Sequence, residues 1–359
     1  MKQRIIGFDI ARAFAIFGMV IVNFKIAMNA EAGNEFLLVF ASLFEGRASA
    51  LFVVLAGIGI TFLTNKARQS QDSTLIIRGQ KTLIKRGVLL IFIGLAYTSI
   101  WPADILHYYG FYFLIAALVF NSNDRNLLIV ATLIMALFPT LMIFFNYENG
   151  WDWTTLTYQG FWTVDGMVRH IIFNGFHPVL PWCAFLLLGM WLGRQNLTAS
   201  IVRKKILVWC LAIWGITELI FFAIRAEIGS GEGIGLTIEE VEFLFSTSII
   251  PPMPQYVIAA GSLAVVIIIC CLYLSEKFSE RKLIAWLYQT GQLSLTLYVA
   301  HVIIGMGVLE ATDHLRNQSI GFSLLSSLLF CISGITLSVL WLKYFKTGPL
   351  EWVFRKIAS

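Results

Sequence analysis

Runs of apolar residues about 18 to 22 long, each sufficient to cross roughly 30 Å of hydrocarbon as a helix, recur from one end of this chain to the other. Set against glycine, proline and charge punctuation, they give ten stretches: 5–28, 48–64, 83–101, 105–120, 127–145, 178–193, 206–224, 256–274, 292–309 and 322–342. Lipid offers backbone N–H and C=O groups no partners, so such segments must be helices unless they alternate as barrel strands do, and that alternation is absent. The expected fold class is therefore all-α: a polytopic membrane helix bundle with about ten transmembrane helices. Composition agrees, because 58% hydrophobic against 13% charged residues and a mean hydropathy of +0.78 lie far from the values of a soluble domain.

Charge orients the bundle. If the ten stretches alternate with the N-terminus inside, 20 of the 26 Lys and Arg fall on the cytoplasmic side, including Lys66, Arg68, Arg78, Lys81, Lys85 and Arg86, while Arg47, Arg169, Arg225 and Arg316 fall outside. This bias predicts that both termini and the segment 65–82 are cytoplasmic. Two outer loops, 146–177 with Glu148, Asp152 and Asp165, and 225–255 with Glu232, Glu239, Glu240 and Glu242, are long enough to build an external surface. A net charge of +5 is explained by inner bases beside anionic lipid, so membrane lipids are expected partners and nucleic acid is not. Cys183, Cys210, Cys270, Cys271 and Cys331 all sit in apolar runs without metal-ligand spacing, so no metal is expected. The first run, long and carrying charge, reads as a retained helix rather than a signal peptide.

Ionisable residues inside membrane helices are costly and are functional candidates by default. Asp9 and Arg12, three apart near the inner end of the first stretch, share a helix face, either as a structural pair or as a contact for an anionic ligand from the cytosol. Lys25, at the outer end, is expected to snorkel. Glu45 and Arg47 precede a run whose Gly57 and Gly59 suit close helix packing; the two charges are either solvated or line a substrate path. In "WPADILHYYG", Asp104 stands one turn before His107, where it can cap the helix or orient the imidazole as a base. His177, held before Pro178 and Pro181, is the second candidate base. His301, with Ser294 and Tyr298 at helical spacing, either bonds neighbouring helices or lines a polar path, whereas His170 and His314 fall in external loops and look replaceable. No nucleotide-binding loop, zinc signature or nucleophile elbow is present, which removes support for ATP-driven transport, metalloprotease chemistry and ordinary serine hydrolysis.

The opening "RIIGFDIARAFAIFGMVIVN" resembles the R-x(3 to 4)-D-x-x-R-G start of the YeiB-like family (domain of unknown function 418), which is related to heparan-alpha-glucosaminide N-acetyltransferases; Ala13 stands where that pattern has glycine. Further resemblances are "ALFVVLAGIGI", "DILHYYG", "FLLLGMWLGR", "GQLSLTLYVAH" and "TGPLEWVFR", the last two being the most specific. The resemblance implies a single transmembrane acyltransferase-like domain over 1–359 in a bacterial inner membrane. It also implies an acyl-CoA donor, acetyl-CoA first, an extracytoplasmic sugar or lipid acceptor, and a homodimer as a further state. On that reading Arg12, oriented by Asp9, and Lys85 with Arg86 meet coenzyme A phosphates, and His177 or His107, with Asp104, takes the acceptor's proton. A transporter or flippase is the alternative; it would also keep ions within the membrane, with Pro139 in one span as a mild hint.

Overall fold

A computed structural model describes residues 5–229 and 236–358; Arg4, at the head of the opening motif, and Glu232 lie outside the described residues. The helices in chain order are α1 (Ile6–Ala27), α2 (Glu35–Ser42), α3 (Arg47–Ser70), α4 (Ser73–Thr98), α5 (Leu106–Val119), α6 (Asp124–Phe144), α7 (Val164–Arg169) and α8 (Val179–Leu192). They continue with α9 (Ser200–Gly229), α10 (Ile238–Phe245), α11 (Pro254–Lys277), α12 (Lys282–Gln292), α13 (Ser294–Ala300), α14 (Gly307–Ala311), α15 (Ile320–Tyr344) and α16 (Pro349–Ile357). Two-residue strands, β1 (Trp151–Asp152) and β2 (Thr157–Tyr158), pair antiparallel in the excursion before α7. π-helical turns extend α7 over His170–Asn174 and α13 over His301–Met306.

The fold is all-α, and each of the ten apolar stretches lies on helix. Among the described residues, seven helical spans are long and apolar enough to cross a membrane: Ile6–Ala27, Glu35–Ser70, Asp124–Phe144, Ser200–Ile228, Pro254–Lys277, Ser294–Ala311 and Ile320–Tyr344. The number becomes eight if Val164–Asn174 and Val179–Leu192, bent by 48°, form one span. The remaining two stretches lie on α4, which carries Arg78, Lys81, Lys85 and Arg86 before its apolar end, and on the shorter α5. Segment 65–82 is not an open loop: α3 runs to Ser70, Gln71 turns at a φ of 53°, and Asp72 caps α4 by accepting from Thr74 N at 2.8 Å. Ala67, Arg68 and Gln69 before that turn and Leu75, Arg78, Gln80 and Lys81 after it are good helix formers.

The chain divides into two compact units, one from residues 5–55 and 264–357 and the other from the described part of 56–263. In the first, α1 buries Ile10, Ala13, Ile16 and Val20 and packs on α12 and α15. There the two most specific motifs meet. Glu351 of α16 accepts from the N–H groups of Leu295 and Thr296 at 2.8 and 3.1 Å and from the Thr296 hydroxyl at 2.6 Å, capping the first turn of α13.

In the second unit, α3 and α8 touch at Gly57, where an added Cβ would stand 2.1 Å from the Leu186 carbonyl oxygen, and the Thr61 hydroxyl donates to the Met190 carbonyl at 2.8 Å. Close packing at Gly57 is thus as its sequence context indicates. Arg194, just after α8, donates to the carbonyls of Phe120 and Ser122 and to Asp124, fastening the end of α5 and the start of α6. Gly94 lets α4 approach the first turn of α5 so closely that a Cβ would lie 2.2 Å from His107 N. That contact fixes the backbone on which the candidate site is built.

Candidate functional site

The turn 101–105 delivers Asp104 to the start of α5, where its Oδ2 accepts from Leu106 N at 2.8 Å and lies 3.4 Å from His107 N. The same oxygen faces His107 Nδ1 at 3.3 Å, so the carboxylate both caps the helix and orients the ring. Asp104 and His107 are fully buried. With Nδ1–H directed at the carboxylate, His107 Nε2 is the basic nitrogen, and it is buried without a hydrogen-bond partner. Buried polar atoms are normally paired, so this nitrogen, which the protein itself does not bond, is available to a polar partner.

Three further side chains complete the cluster. Tyr108, stacked on His107 with ring centres 3.9 Å apart, places its hydroxyl 2.9 Å from His170 Nδ1. The His107 and His170 rings are 6.3 Å apart. His177, buried in the bend before α8, lies 5.9 Å from the Tyr108 ring and 4.6 Å from Trp182; its Nδ1 is also buried without a partner. The Tyr112 hydroxyl donates to the His177 carbonyl at 2.6 Å, which ties the bend to α5. Among the described residues no three His, Cys, Asp or Glu side chains converge closely enough to hold a metal ion.

His170 corrects the sequence reading. It is not a replaceable loop residue: it is 2% exposed and opens the π-helical turn at the end of α7. The apolar run Ile171, Ile172 and Phe173 directly after it is the sequence signal for that burial. His314 is exposed, as its loop position implies.

The other candidates fall elsewhere. Asp9 and Arg12 form an ion pair on α1 in the first unit, with Asp9 buried and the Arg12 side chain 24% exposed. Lys85 and Arg86 stand on α4 in the second unit, Lys85 exposed and Arg86 half-buried. Lys25 does not merely snorkel: its ammonium donates to Glu45 at 2.9 Å and lies 3.3 Å from Glu31, which accounts for Glu45 in the first unit. Arg47, half-buried, opens α3. His301 is fully buried, with Nε2 accepting from Asn23 Nδ2 at 2.8 Å and Nδ1–H donating to the Tyr298 carbonyl. Both of its nitrogens therefore bond within the protein, as the helix-bonding alternative requires.

Residues 4–226, which contain the whole histidine cluster, match the family described as "Heparan-alpha-glucosaminide N-acetyltransferase, catalytic". The chain belongs to that family. It is accordingly a multi-pass membrane protein of an acetyltransferase family, and its second part, residues 192–359, matches the family described as "Protein of unknown function (DUF418)". The Glu351 clasp on α13 lies in that second part. Over 99% of its length this acetyltransferase-family chain is similar to "Uncharacterized protein YxaH" of Bacillus subtilis (strain 168), with 20% identity over 410 residues and 94% of that relative covered.

Proposed function

We propose that the protein transfers an acyl group, acetyl first, from a coenzyme A thioester supplied in the cytosol to a hydroxyl or amine of an extracytoplasmic cell-envelope sugar or lipid. The observation that carries the reading is the Asp104–His107 pair with its buried, unpartnered Nε2. That nitrogen takes the acceptor's proton as the acceptor oxygen or nitrogen bonds to the thioester carbonyl carbon. The C–S bond then breaks, and the thiolate leaves with the proton returned by the imidazolium. Asp104 supports the positive ring during the step. His177, without that carboxylate on its ring, offers a second polar contact to the reacting groups through Nδ1.

Coenzyme A brings phosphates that need cationic partners. Lys85 and Arg86 stand on α4, the helix packed against the one that carries His107, and they are the donor contacts this unit supplies. Within the first unit Arg12, oriented by Asp9, is a separate candidate contact for an anionic ligand from the cytosol. The partition of basic residues supports ten spans with both termini cytoplasmic in a bacterial inner membrane.

Everted membrane vesicles given acetyl-labelled coenzyme A thioester should accumulate label in an envelope sugar or lipid fraction. Vesicles carrying His107→Ala at equal abundance should lose about 10²-fold to 10⁴-fold of that rate. Equal labelling by the two removes His107 as the base.

A further inference from the structure

His107 Nε2 is open for chemistry yet has no exposure at all, so any molecule that reaches it must first displace part of its cover. Most of that cover is tied by close backbone packing. α5 is held by the Gly94 contact and by the Tyr112 bond to the His177 carbonyl, and α8 by its seat on α3. The exception is the hairpin of β1 and β2. Two of its rings close over His170, Trp151 at 5.7 Å and Tyr158 at 4.5 Å; Phe161, just past the second hinge, lies 4.9 Å from His170 and 6.3 Å from His107.

The hairpin is bracketed by glycines in the left-handed region, Gly150 with φ 91° and Gly160 with φ 70°, which swing with less steric cost than any other residue. Just outside each glycine the chain is anchored. Asn174 Nδ2 donates to the carbonyls of Tyr147 and Asn149 at 2.7 and 2.8 Å, and Thr163 bonds the Gly160 carbonyl through both its amide and its hydroxyl. Between the glycines the ties out of the hairpin are three side-chain hydrogen bonds and ring contacts, with Trp151 on Phe176 and Trp153 on Tyr147. Trp151 Nε1 donates to the Asn174 carbonyl at 2.5 Å, the Tyr158 hydroxyl donates to Asn174 Oδ1 at 2.9 Å, and Arg169 Nε donates to the Tyr158 oxygen at 2.8 Å. Thr154, Thr155, Thr157 and Gln159 face outward and are exposed.

The geometry points to the segment Gly150 to Gly160 as a hinged lid that opens to admit a molecule to His170 and, past it, to the neighbouring His107, latched shut through Tyr158 on Asn174. Opening breaks those hydrogen bonds and lifts the Trp151 and Trp153 rings from Phe176 and Tyr147, while the buried residues on either side of the hinges stay folded. The proposal rests on the histidine cluster being the reacting site, but its test requires no acyl transfer.

Histidine modification by diethyl pyrocarbonate, mapped residue by residue by mass spectrometry on the purified full chain, reads the opening directly. His314, exposed, sets the fast reference, and His301, buried in the first unit, reports loosening of the fold. In wild type, His107 and His170 should react far more slowly than His314. Tyr158→Phe cuts the latch. Gly160→Ala disfavours the closed hinge without a clash, since its Cβ would meet Thr163 Oγ1 at 3.7 Å. Each should speed His107 and His170 at least about five-fold, with His301 unchanged. Unchanged rates at His107 and His170, rates matching His314 in wild type, or a parallel rise at His301 would each overturn the lid.

Discussion

His170 and His301 open the two π-helical turns of the molecule's described residues, and both are buried, yet their surroundings differ in kind. His301 spends both ring nitrogens inside the first unit, on Asn23 and on the Tyr298 carbonyl. His170 instead belongs to a group in which two imidazole nitrogens, His107 Nε2 and His177 Nδ1, are buried and unpaired. A satisfied buried histidine is a bolt between helices. An unsatisfied one pays the desolvation of a polar atom without return, which is tolerable when a bound molecule supplies the missing bond. Burial alone therefore does not distinguish structure from function; the hydrogen-bond ledger does.

The comparison breaks most readily by exchanging the two roles. His301→Ala should lower the melting temperature by several degrees, because it leaves the Asn23 amide without its buried acceptor at about 1–3 kcal/mol. Replacing His301 and Asn23 together with apolar residues should recover most of that loss. His107→Asn, whose amide can still donate to Asp104, should cost less of the melt than His301→Ala while labelling of the envelope falls. A stable His301→Ala protein beside a collapsed His107→Asn one would reverse the assignment.

A smaller effect sharpens the reading of the first unit. Arg12→Gln removes the ion-pair partner of buried Asp9, a loss of about 3 kcal/mol at most, since the Arg12 side chain is 24% exposed and partly screened. Asp9→Asn with Arg12→Gln should regain stability. If Arg12 also meets a coenzyme A phosphate, the double variant melts like wild type but binds coenzyme A more weakly by calorimetry. Wild-type affinity in a stable double variant makes the pair purely structural.

The smallest effect concerns the hairpin. Bonds from the Thr154 and Thr155 side chains, with Thr155 N–H, hold the exposed Asp152 carboxyl below its ordinary value of 3.8. A lowered folded value means that the carboxylate supports the hairpin fully above that pH and loses this support as pH falls through the lowered one. Amide exchange over residues 151–159, corrected for its intrinsic pH dependence, should lose protection below about pH 4 in wild type, and Asp152→Asn should flatten that response. A wild-type profile without the acid limb would discard the Asp152 contribution.

Local rules carried the sequence a long way. Apolar runs without alternation leave helix as the one solution in lipid, and each of the ten stretches lies on helix because that constraint acts residue by residue. Asp104 and His107 were legible as a pair because three residues are one turn, and turn geometry holds wherever the helix goes. The short turn at Gln71 and Asp72 was not legible, since both flanks carry helix formers that read equally well as a charged inner loop.

The all-α membrane class and the carboxylate-oriented imidazole are set by interactions within a few residues, so chain order alone carries them. Which histidines are bonded and which are open depends on pairings between distant positions. His170 meets Tyr108 from 62 positions away, Asn23 meets His301 from 278, and Glu351 reaches Thr296 from 55. Such pairings have no periodicity to betray them, because they are fixed by how whole helices pack and not by the pitch of any one.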